Sequence, residues 1–304
     1  MVERVGEGVS SLAEGDHVVS LFSPQCGECV HCIDPRTNLC MAIRAEQNLG
    51  HLPDGTTRLQ RPDGEDIRHF MGCSTFAEYT VMPEIALAKV DPEAPLDRAC
   101  LFACGLSTGL GAAMFTAKVE PGTTCVIFGA GMVGLGAVAG CRLQGAERII
   151  CVDLSDDRLE LARGKGATDL VKADDDTVER ILAMTDGGFG ADYTFEATGN
   201  VAVMQQAVEA ARMAWGLCTV AGVAGKGETL DVIPRWLITG RRIAGSSFGG
   251  VKGREGVPKL VDLYMQGEID VDPFISHRIT LDEVNKGFDL MEAQDGIRSV
   301  IEFN

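Results

Sequence analysis

The sequence predicts an α/β protein with a doubly wound parallel sheet and a second, discontinuous domain. Buried strand-like runs alternate with helical segments between residues 106 and 247. A glycine-rich turn joins the first strand of this region to its first helix. The flanking segments, residues 1–105 and 248–304, are instead rich in Gly, Pro and short strand-like runs such as residues 76–83, FAEYTVMP. We therefore expect the flanking segments to pack together as the second domain.

The first strand and helix of the central region enclose a dinucleotide-binding motif. In residues 124–136, TCVIFGAGMVGLG, the glycines Gly129, Gly131 and Gly134 form GxGxxG between an apolar strand and an apolar helix. The first glycine permits the tight turn, the second the approach of a pyrophosphate, and the third close packing of helix on strand. Val133 lies inside the same turn, and we predict that it also binds the cofactor. This pattern predicts a Rossmann domain.

An acidic residue identifies the coenzyme. Asp153 ends the second strand of the βαβ unit, nineteen residues after Gly134, where a carboxylate can bind both ribose hydroxyls. The same carboxylate repels a 2′-phosphate, and the next residues, Leu154 and Ser155, supply no cation. The sequence therefore predicts NAD rather than NADP. Alternating strand-like and helical segments continue through residues 191–225.

A lobe at residues 24–42 contains four closely spaced cysteines. The spacing, with gaps of two, two and seven residues, lets a short loop place four thiolates around one tetrahedral Zn(II), with no open coordination position. The four are Cys26, Cys29, Cys32 and Cys40. A proline within the lobe argues against a CxxC redox site that opens a helix. We expect a structural zinc, with iron–sulfur ligation, a redox site or an unmetallated cluster as alternatives.

Composition excludes several classes of function. The 304 residues carry a formal net charge of −17 and a pI near 4.7, without the clustered Lys and Arg that bind nucleic acid. No apolar run approaches the roughly 18 residues of a membrane span, and the first residues do not match a signal peptide. Eleven cysteines, an odd number scattered through strands and helices, are typical of a reducing compartment. We predict a cytoplasmic protein that does not contact membranes.

These features together resemble a known family. The cysteine lobe, residues 72–81 (GCSTFAEYTV), residues 104–113 (CGLSTGLGAA), the glycine turn and residues 284–288 (VNKGF) are similar to the zinc-dependent medium-chain alcohol dehydrogenases. The resemblance covers essentially the whole chain. It implies a structural zinc in the lobe, a mainly β GroES-like catalytic domain built from the flanking segments, NAD-dependent hydride transfer and a homodimer.

The resemblance also assigns roles to four further residues. In the family a second zinc, bound by two cysteines and a histidine, polarises the alcohol oxygen, and Cys104 matches the last ligand. Independently, a cysteine that opens a helix lies at the positive end of the helix dipole, which favours the thiolate. Thr108 would face the nicotinamide, Arg158 would lie near the adenosine ribose and Arg298 would contact the pyrophosphate.

Two stretches narrow the resemblance to a subclass. Residues 38–59 and 248–261 are most similar to the class III alcohol dehydrogenases, the glutathione-dependent formaldehyde dehydrogenases. Their substrate, S-(hydroxymethyl)glutathione, carries a carboxylate, and Arg44 and Lys252 would supply the cations that bind it. The alternatives are a zinc alcohol dehydrogenase for simple primary or aromatic alcohols, a zinc-free quinone reductase, and a chain that binds NAD and zinc without turnover.

The first residues resemble a stretch that lies well inside these dehydrogenases, just after a GHE motif. We therefore expect the catalytic domain in this sequence to be N-terminally incomplete, with the other ligands of the catalytic zinc and the proton relay absent. Under that expectation this chain holds one zinc and is inactive. We expect structural or surface roles for the histidines, which are His17, His31, His51, His69 and His277.

Overall fold

The computed structural model describes residues 1–303, apart from the side chain of residue 42. The chain divides into two compact units. The first, the flanking unit, comprises Met1–Cys104 and the segment from Lys252 onward; the second, the central unit, comprises Gly105–Val251.

The N-terminal part of the flanking unit contains short elements. They are β1 (Val18–Ser20), α1 (Val30–Ile33), α2 (Met41–Leu49), β2 (Leu59–Gln60), β3 (Asp66–Ile67), β4 (Leu87–Lys89) and α3 (Leu96–Ala99). Strand β1 pairs antiparallel with β4, and β2 pairs antiparallel with β3 as a hairpin. In the sequence, β1 precedes the cysteine lobe and β2 follows α2.

The predicted strand at residues 76–83 is wrong: the structure assigns no strand between β3 and β4. Phe76 and Tyr79 are exposed there. An extended segment becomes a strand only when a neighbour pairs with its N–H and C=O groups. No described strand pair includes residues 76–83, so the alternating sequence was not sufficient to form a strand.

The central unit contains the predicted doubly wound sheet. Its elements are α4 (Gly105–Gly111), continued by a π-helix (Ala112–Ala117), β5 (Thr124–Phe128), α5 (Met132–Leu143), β6 (Arg148–Asp153), α6 (Asp156–Lys165), β7 (Asp169–Lys172), α7 (Thr177–Ala183), β8 (Tyr193–Glu196), α8 (Val201–Ala210), β9 (Leu217–Val220), α9 (Pro234–Ile238) and β10 (Arg242–Gly245). The six strands are all parallel, in the order β10-β9-β8-β5-β6-β7. The order reverses between β5 and β8, which defines the switch point where such sheets bind ligands.

The core of the central unit explains why these segments are strands. β5 and β6 are almost continuously buried, because helices cover both faces of a parallel sheet. Val126 and Phe128 of β5 pack with Ile150 and Val152 of β6 in one apolar cluster. The fold class predicted from the sequence is confirmed for this unit.

The chain then returns to the flanking unit. The remaining elements are α10 (Gly253–Met265), β11 (Ile275–Ile279), α11 (Val284–Glu292) and β12 (Arg298–Ile301). Strands β11 and β12 pair in parallel. Among the described residues no single helix is long and apolar enough to cross a membrane; the bent pair Leu96–Ala103 and Gly105–Ala117 meets that test only in combination.

Candidate functional site

The GxGxxG turn has the geometry that its sequence predicts. Gly129 adopts a φ of +95°, which side-chain-bearing residues rarely adopt. A Cβ at Gly134 would lie 1.6 Å from the Gly129 carbonyl oxygen, so only glycine lets α5 approach the strand end. A Cβ at Gly131 would meet nothing within 4 Å. The turn therefore leaves open space at Gly131, where a pyrophosphate can approach the start of α5.

The acidic residue of the motif lies against the same turn. One Asp153 carboxylate oxygen accepts a hydrogen bond from the Ala130 amide at 2.6 Å, and the other accepts one from the Ser155 amide at 2.8 Å. Arg158 is half-buried in the first turn of α6, where its amide donates to the Ser155 hydroxyl at 3.4 Å. Leu154 is exposed. The structure thus brings Asp153 to the turn, with no lysine or arginine at either of the next two positions.

The adjoining strand adds a residue that the sequence reasoning missed. Glu196, at the end of β8, is fully buried, and one carboxylate oxygen accepts from Thr198 and from the Gly199 amide. Its other oxygen has no hydrogen-bond partner among the described residues. The Thr198 methyl group lies against Gly129, since a Cβ on that glycine would meet it at 2.7 Å. Glu196 therefore orders the loop that supports the turn; a charged residue ending an apolar strand was the available signal.

Helix α4 packs on the helix that the glycine turn begins. A Cβ at Gly109 would lie 2.0 Å from the Val133 carbonyl oxygen, so the two backbones are in close contact. Thr108, the neighbour of Gly109, is buried with 7% of its surface exposed. The structure thus places Val133 and Thr108 near each other beside the turn, but their roles towards a coenzyme stay predictions.

The four cysteines of the lobe converge. Their sulfur atoms all lie within 4.8 Å of one another, and the Cys26 and Cys32 sulfurs are 3.8 Å apart. A tetrahedron with zinc–sulfur bonds of about 2.3 Å has edges of about 3.8 Å, so the cluster fits one zinc ion. Cys32 and Cys40 are buried. The predicted clustering of the four ligands is confirmed.

Ionisation of the thiols explains why the cluster favours a cation. A hydrogen bond from the Cys32 amide, assisted by the Met41 amide, lowers the pKa of the Cys29 thiol to about 6. Burial raises the pKa of the Cys32 thiol to about 12. A buried thiolate beside other thiolates is stable only when a positive charge compensates it. A divalent ion supplies that charge.

Cys104, the predicted ligand of the catalytic zinc, and Arg298, the predicted pyrophosphate contact, lie near each other in the flanking unit. Cys104 lies outside any disulfide and directly precedes α4. Desolvation lowers the pKa of Arg298, and the Coulombic attraction of Cys104 opposes that shift. The Arg298 guanidinium donates to the Ile297 carbonyl at 3.0 Å. The roles of Cys104 as a catalytic-zinc ligand and of Arg298 at the pyrophosphate stay predictions.

The two predicted substrate cations have different surroundings. Arg44 is half-buried on α2, one turn after Cys40, and makes no hydrogen bond or ion pair with any described residue. Lys252 instead donates from Nζ to the Cys32 carbonyl oxygen at 2.5 Å. The structure therefore leaves the Arg44 guanidinium available for an anion and attaches Lys252 to the zinc lobe.

Two histidines of the flanking unit have local partners. His51 lies 3.1 Å from Glu46. His69 is buried, its Nε2 accepts from the Arg58 amide at 3.0 Å, and burial lowers its pKa. Over the described chain, the only group of three or more potential ligand atoms close enough to hold a metal is the four-cysteine cluster.

Comparison with known proteins agrees with this geometry. A family profile described as "Alcohol dehydrogenase GroES-like domain" matches residues 1–92, and one described as "Zinc-binding dehydrogenase" matches residues 132–266. "Alcohol dehydrogenase class-3" of Myxine glutinosa is 52% identical over 305 residues, covering 99% of this chain and 80% of that protein. "S-(hydroxymethyl)glutathione dehydrogenase" of Paracoccus denitrificans is 48% identical over 307 residues, covering 99% of this chain and 82% of that protein.

Solved structures give the same result. A Burkholderia ambifaria protein described as an alcohol dehydrogenase zinc-binding domain protein superposes with a TM-score of 0.92 at 33% identity, covering 99% of this chain and 81% of that one. Benzyl alcohol dehydrogenase of Acinetobacter calcoaceticus gives a TM-score of 0.87 at 29% identity, with the same coverage.

The doubly wound sheet with its glycine turn, and the four-thiolate lobe, define an oxidoreductase that uses a dinucleotide and zinc. This chain belongs to the zinc-dependent alcohol dehydrogenase family, as the sequence resemblance predicted. The family uses zinc and NAD, so the predicted cofactors are confirmed.

Proposed function

We propose that this enzyme oxidises S-(hydroxymethyl)glutathione with NAD as the hydride acceptor. The observation that carries the proposal is the half-buried Arg44, which has no partner among the described residues. An unpaired, partly desolvated guanidinium favours binding of an anion, and its planar fork matches a carboxylate. Two relatives named for class 3 and one named for S-(hydroxymethyl)glutathione support the same substrate.

Residues of this chain would carry distinct parts of the reaction. When bound, zinc supplies Lewis-acid polarisation of the alcohol oxygen and NAD supplies the hydride acceptor. The open backbone at Gly131 and the start of α5 would bind the pyrophosphate, and Asp153 would bind the ribose hydroxyls. Cys104 would be a ligand of the catalytic zinc, and Arg44 would hold the glutathione carboxylate.

The experiment is an Arg44→Ala substitution in a form of the enzyme that holds both the structural and the catalytic zinc. Loss of a charge-assisted bidentate contact costs about 1.5–3 kcal/mol, so the KM for S-(hydroxymethyl)glutathione should rise roughly tenfold to a hundredfold. The KM for pentanol or benzyl alcohol should stay unchanged, because neither has a carboxylate. Arg4→Ala is the matched control, since Arg4 is exposed and its removal changes the net charge equally.

A binding measurement tests the same contact without turnover. Calorimetric titration with S-methylglutathione should show the affinity loss in Arg44→Ala and not in Arg4→Ala. Equal affinities in the two variants would contradict the glutathione assignment. Turnover of benzyl alcohol well above that of formaldehyde plus glutathione would instead favour a simple alcohol as the substrate, as the name of the Acinetobacter neighbour suggests.

We also propose that the enzyme is a cytoplasmic homodimer. Strand β10 is an edge of the sheet, and Ile243 on it is exposed. Val223 and Ile238 of the same unit are 89% and 84% exposed. Unpaired edge groups and exposed apolar side chains both favour pairing with a second copy. None of the eleven cysteines forms a disulfide, which supports a reducing compartment.

The dimer has its own test. Ile238→Asp should shift the sedimentation coefficient towards that of a monomer, because it places a charge on the proposed interface. Val30→Asp is the control, since Val30 is an exposed apolar residue of the flanking unit. An unchanged coefficient in Ile238→Asp would exclude this surface.

A further inference from the structure

The zinc lobe requires charge compensation beyond the metal. One Zn(II) with four thiolates carries a net charge of −2, and two of the four cysteines, Cys32 and Cys40, are buried. Burying an uncompensated charge is costly, so such a cluster needs N–H donors or a cation around it. The Cys29 amide, which donates to the Cys26 sulfur at 3.4 Å, is one donor.

Lys252 is a cation attached to this cluster. Its ammonium donates to the carbonyl oxygen of Cys32 at 2.5 Å, although 220 residues separate the two in sequence. The carbonyl oxygen and sulfur of one cysteine are at most about 5 Å apart. The ammonium is therefore within about 8 Å of the Cys32 sulfur, which is one Debye length at physiological salt.

The nearby carboxylates have other partners. Asp34 lies near enough to Lys252 for a Coulombic interaction, but its two oxygens are bound by Arg36 at 3.0 and 2.6 Å. Glu255 accepts from the Gln25 side chain at 3.4 Å. The lysine charge is therefore not cancelled by a dedicated ion pair and remains effective towards the thiolates.

The backbone that carries Lys252 is fixed. Lys252 is the residue immediately before α10, and Val257 and Leu260 bury that helix in the flanking unit. A Cβ at Gly253 would lie 2.8 Å from Leu21 and 3.1 Å from the Ser23 carbonyl oxygen, so the helix start is pressed against the chain that leads into the lobe. Packing thus fixes the Lys252 backbone, and the hydrogen bond to the Cys32 carbonyl oxygen holds its ammonium.

We propose that Lys252 is a positioning and charge-compensating residue of the structural zinc site. It holds the Cys32 backbone and offsets part of the negative charge of the tetrathiolate. This inference does not rest on the proposed substrate. It adds a role for Lys252 to the predicted one at the glutathione carboxylate, which stays a prediction.

The test compares Lys252→Met with Lys259→Met in a Cys104→Ser background, so that only the lobe metal is followed. Both substitutions remove one lysine, at the start of α10 or within it, but Lys259 is exposed. Zinc release to a chromogenic chelator should be roughly tenfold to a hundredfold faster in Lys252→Met and unchanged in Lys259→Met. Equal release rates in the two variants would overturn the proposal.

Two further measurements separate charge from shape. Lys252→Arg should retain zinc better than Lys252→Gln, which keeps a donor but no charge. In cobalt-substituted protein, the sulfur-to-metal charge-transfer bands of Lys252→Gln should shift to longer wavelength, because a nearby cation stabilises the sulfur electrons. If Lys252→Gln retains zinc and cobalt spectra like Lys252→Arg while weakening S-methylglutathione binding, Lys252 is a substrate residue and the proposal fails.

Discussion

The zinc lobe (residues 24–42) and the nucleotide turn (residues 129–134) are both irregular segments, but different forces hold them. The apolar cluster at the lobe has only Cys32, Cys40 and Ile43 as its buried members, and two of these are metal ligands. The nucleotide turn lies on strands whose side chains form a large apolar cluster. The lobe therefore depends on its ion, whereas the turn depends on packing of the sheet beneath it.

Removing zinc should produce the largest difference between the two regions. Structural zinc contributes apparent free energies of about 10–16 kcal/mol in small zinc-binding peptides, so a strong chelator should unfold the lobe. Hydrogen exchange followed by mass spectrometry should show lost amide protection in residues 24–42, while β5 and β6 stay protected. Added zinc should restore the protection. Protection of the lobe that persists in metal-free protein would contradict this account.

Paired glycine substitutions should distinguish packing from ligand access within the turn. Gly134→Ala places a methyl group 1.6 Å from the Gly129 carbonyl oxygen, so it should lower the free energy of unfolding by about 3 kcal/mol or more. Gly131→Ala meets open space and should change that free energy by less than about 0.5 kcal/mol. It should still weaken NAD binding, because the methyl group occupies the path of the pyrophosphate.

Urea denaturation and NAD titration check both variants. Stability losses of the same size at the two positions would show that packing does not separate them.

Asp153 should determine coenzyme choice in the turn. Asp153→Ser removes both the ribose contact and the repulsion of a 2′-phosphate, so NAD affinity should fall roughly tenfold to a hundredfold while NADP affinity rises. Asp153→Asn is the control, because it keeps an acceptor for the Ala130 amide but removes the charge. Fluorescence titration with both coenzymes measures the ratio. A wild-type enzyme that binds both equally would exclude this role for Asp153.

The smallest effect concerns an ion pair at the edge of the central sheet. Arg148 binds both oxygens of Asp169, at 2.9 and 2.8 Å, and this hydrogen bonding lowers the pKa of Asp169. Because the folded-state pKa is below the unfolded value, the stabilisation is present above pH 4 and is lost as the pH falls further. Asp169→Asn should cost about 0.5–1 kcal/mol at pH 7, since the pair is partly exposed.

The cost should shrink when unfolding is measured in urea below pH 4. Glu160→Gln is the control: its ion pair with Arg163 is more exposed and should contribute less. An Asp169→Asn cost that does not change with pH would assign the effect to packing.

The sequence was sufficient to predict a structural feature where the groups that form it are close together in the chain. The buried runs of β5 and β6, the three glycines and the four cysteines each lie within a few tens of residues, and the structure has them as predicted. The strand predicted at residues 76–83 is absent from the structure, because an alternating apolar and polar sequence alone does not form a strand. The roles of Cys104, Thr108, Arg158 and Arg298 stay predictions, because each requires a ligand.

The sequence by itself determined the parallel sheet and the four clustered cysteines of the lobe, because GxGxxG and the cysteine spacing are local patterns with a direct geometric meaning. Its resemblance to known dehydrogenases gave the family. Only the tertiary structure decided the partners of individual charges. It placed Lys252 on the Cys32 carbonyl, left Arg44 without a partner, and buried Glu196 beneath the loop that carries Thr198. The Lys252 contact joins segments 220 residues apart, and no local pattern encodes which of many similar side chains will meet.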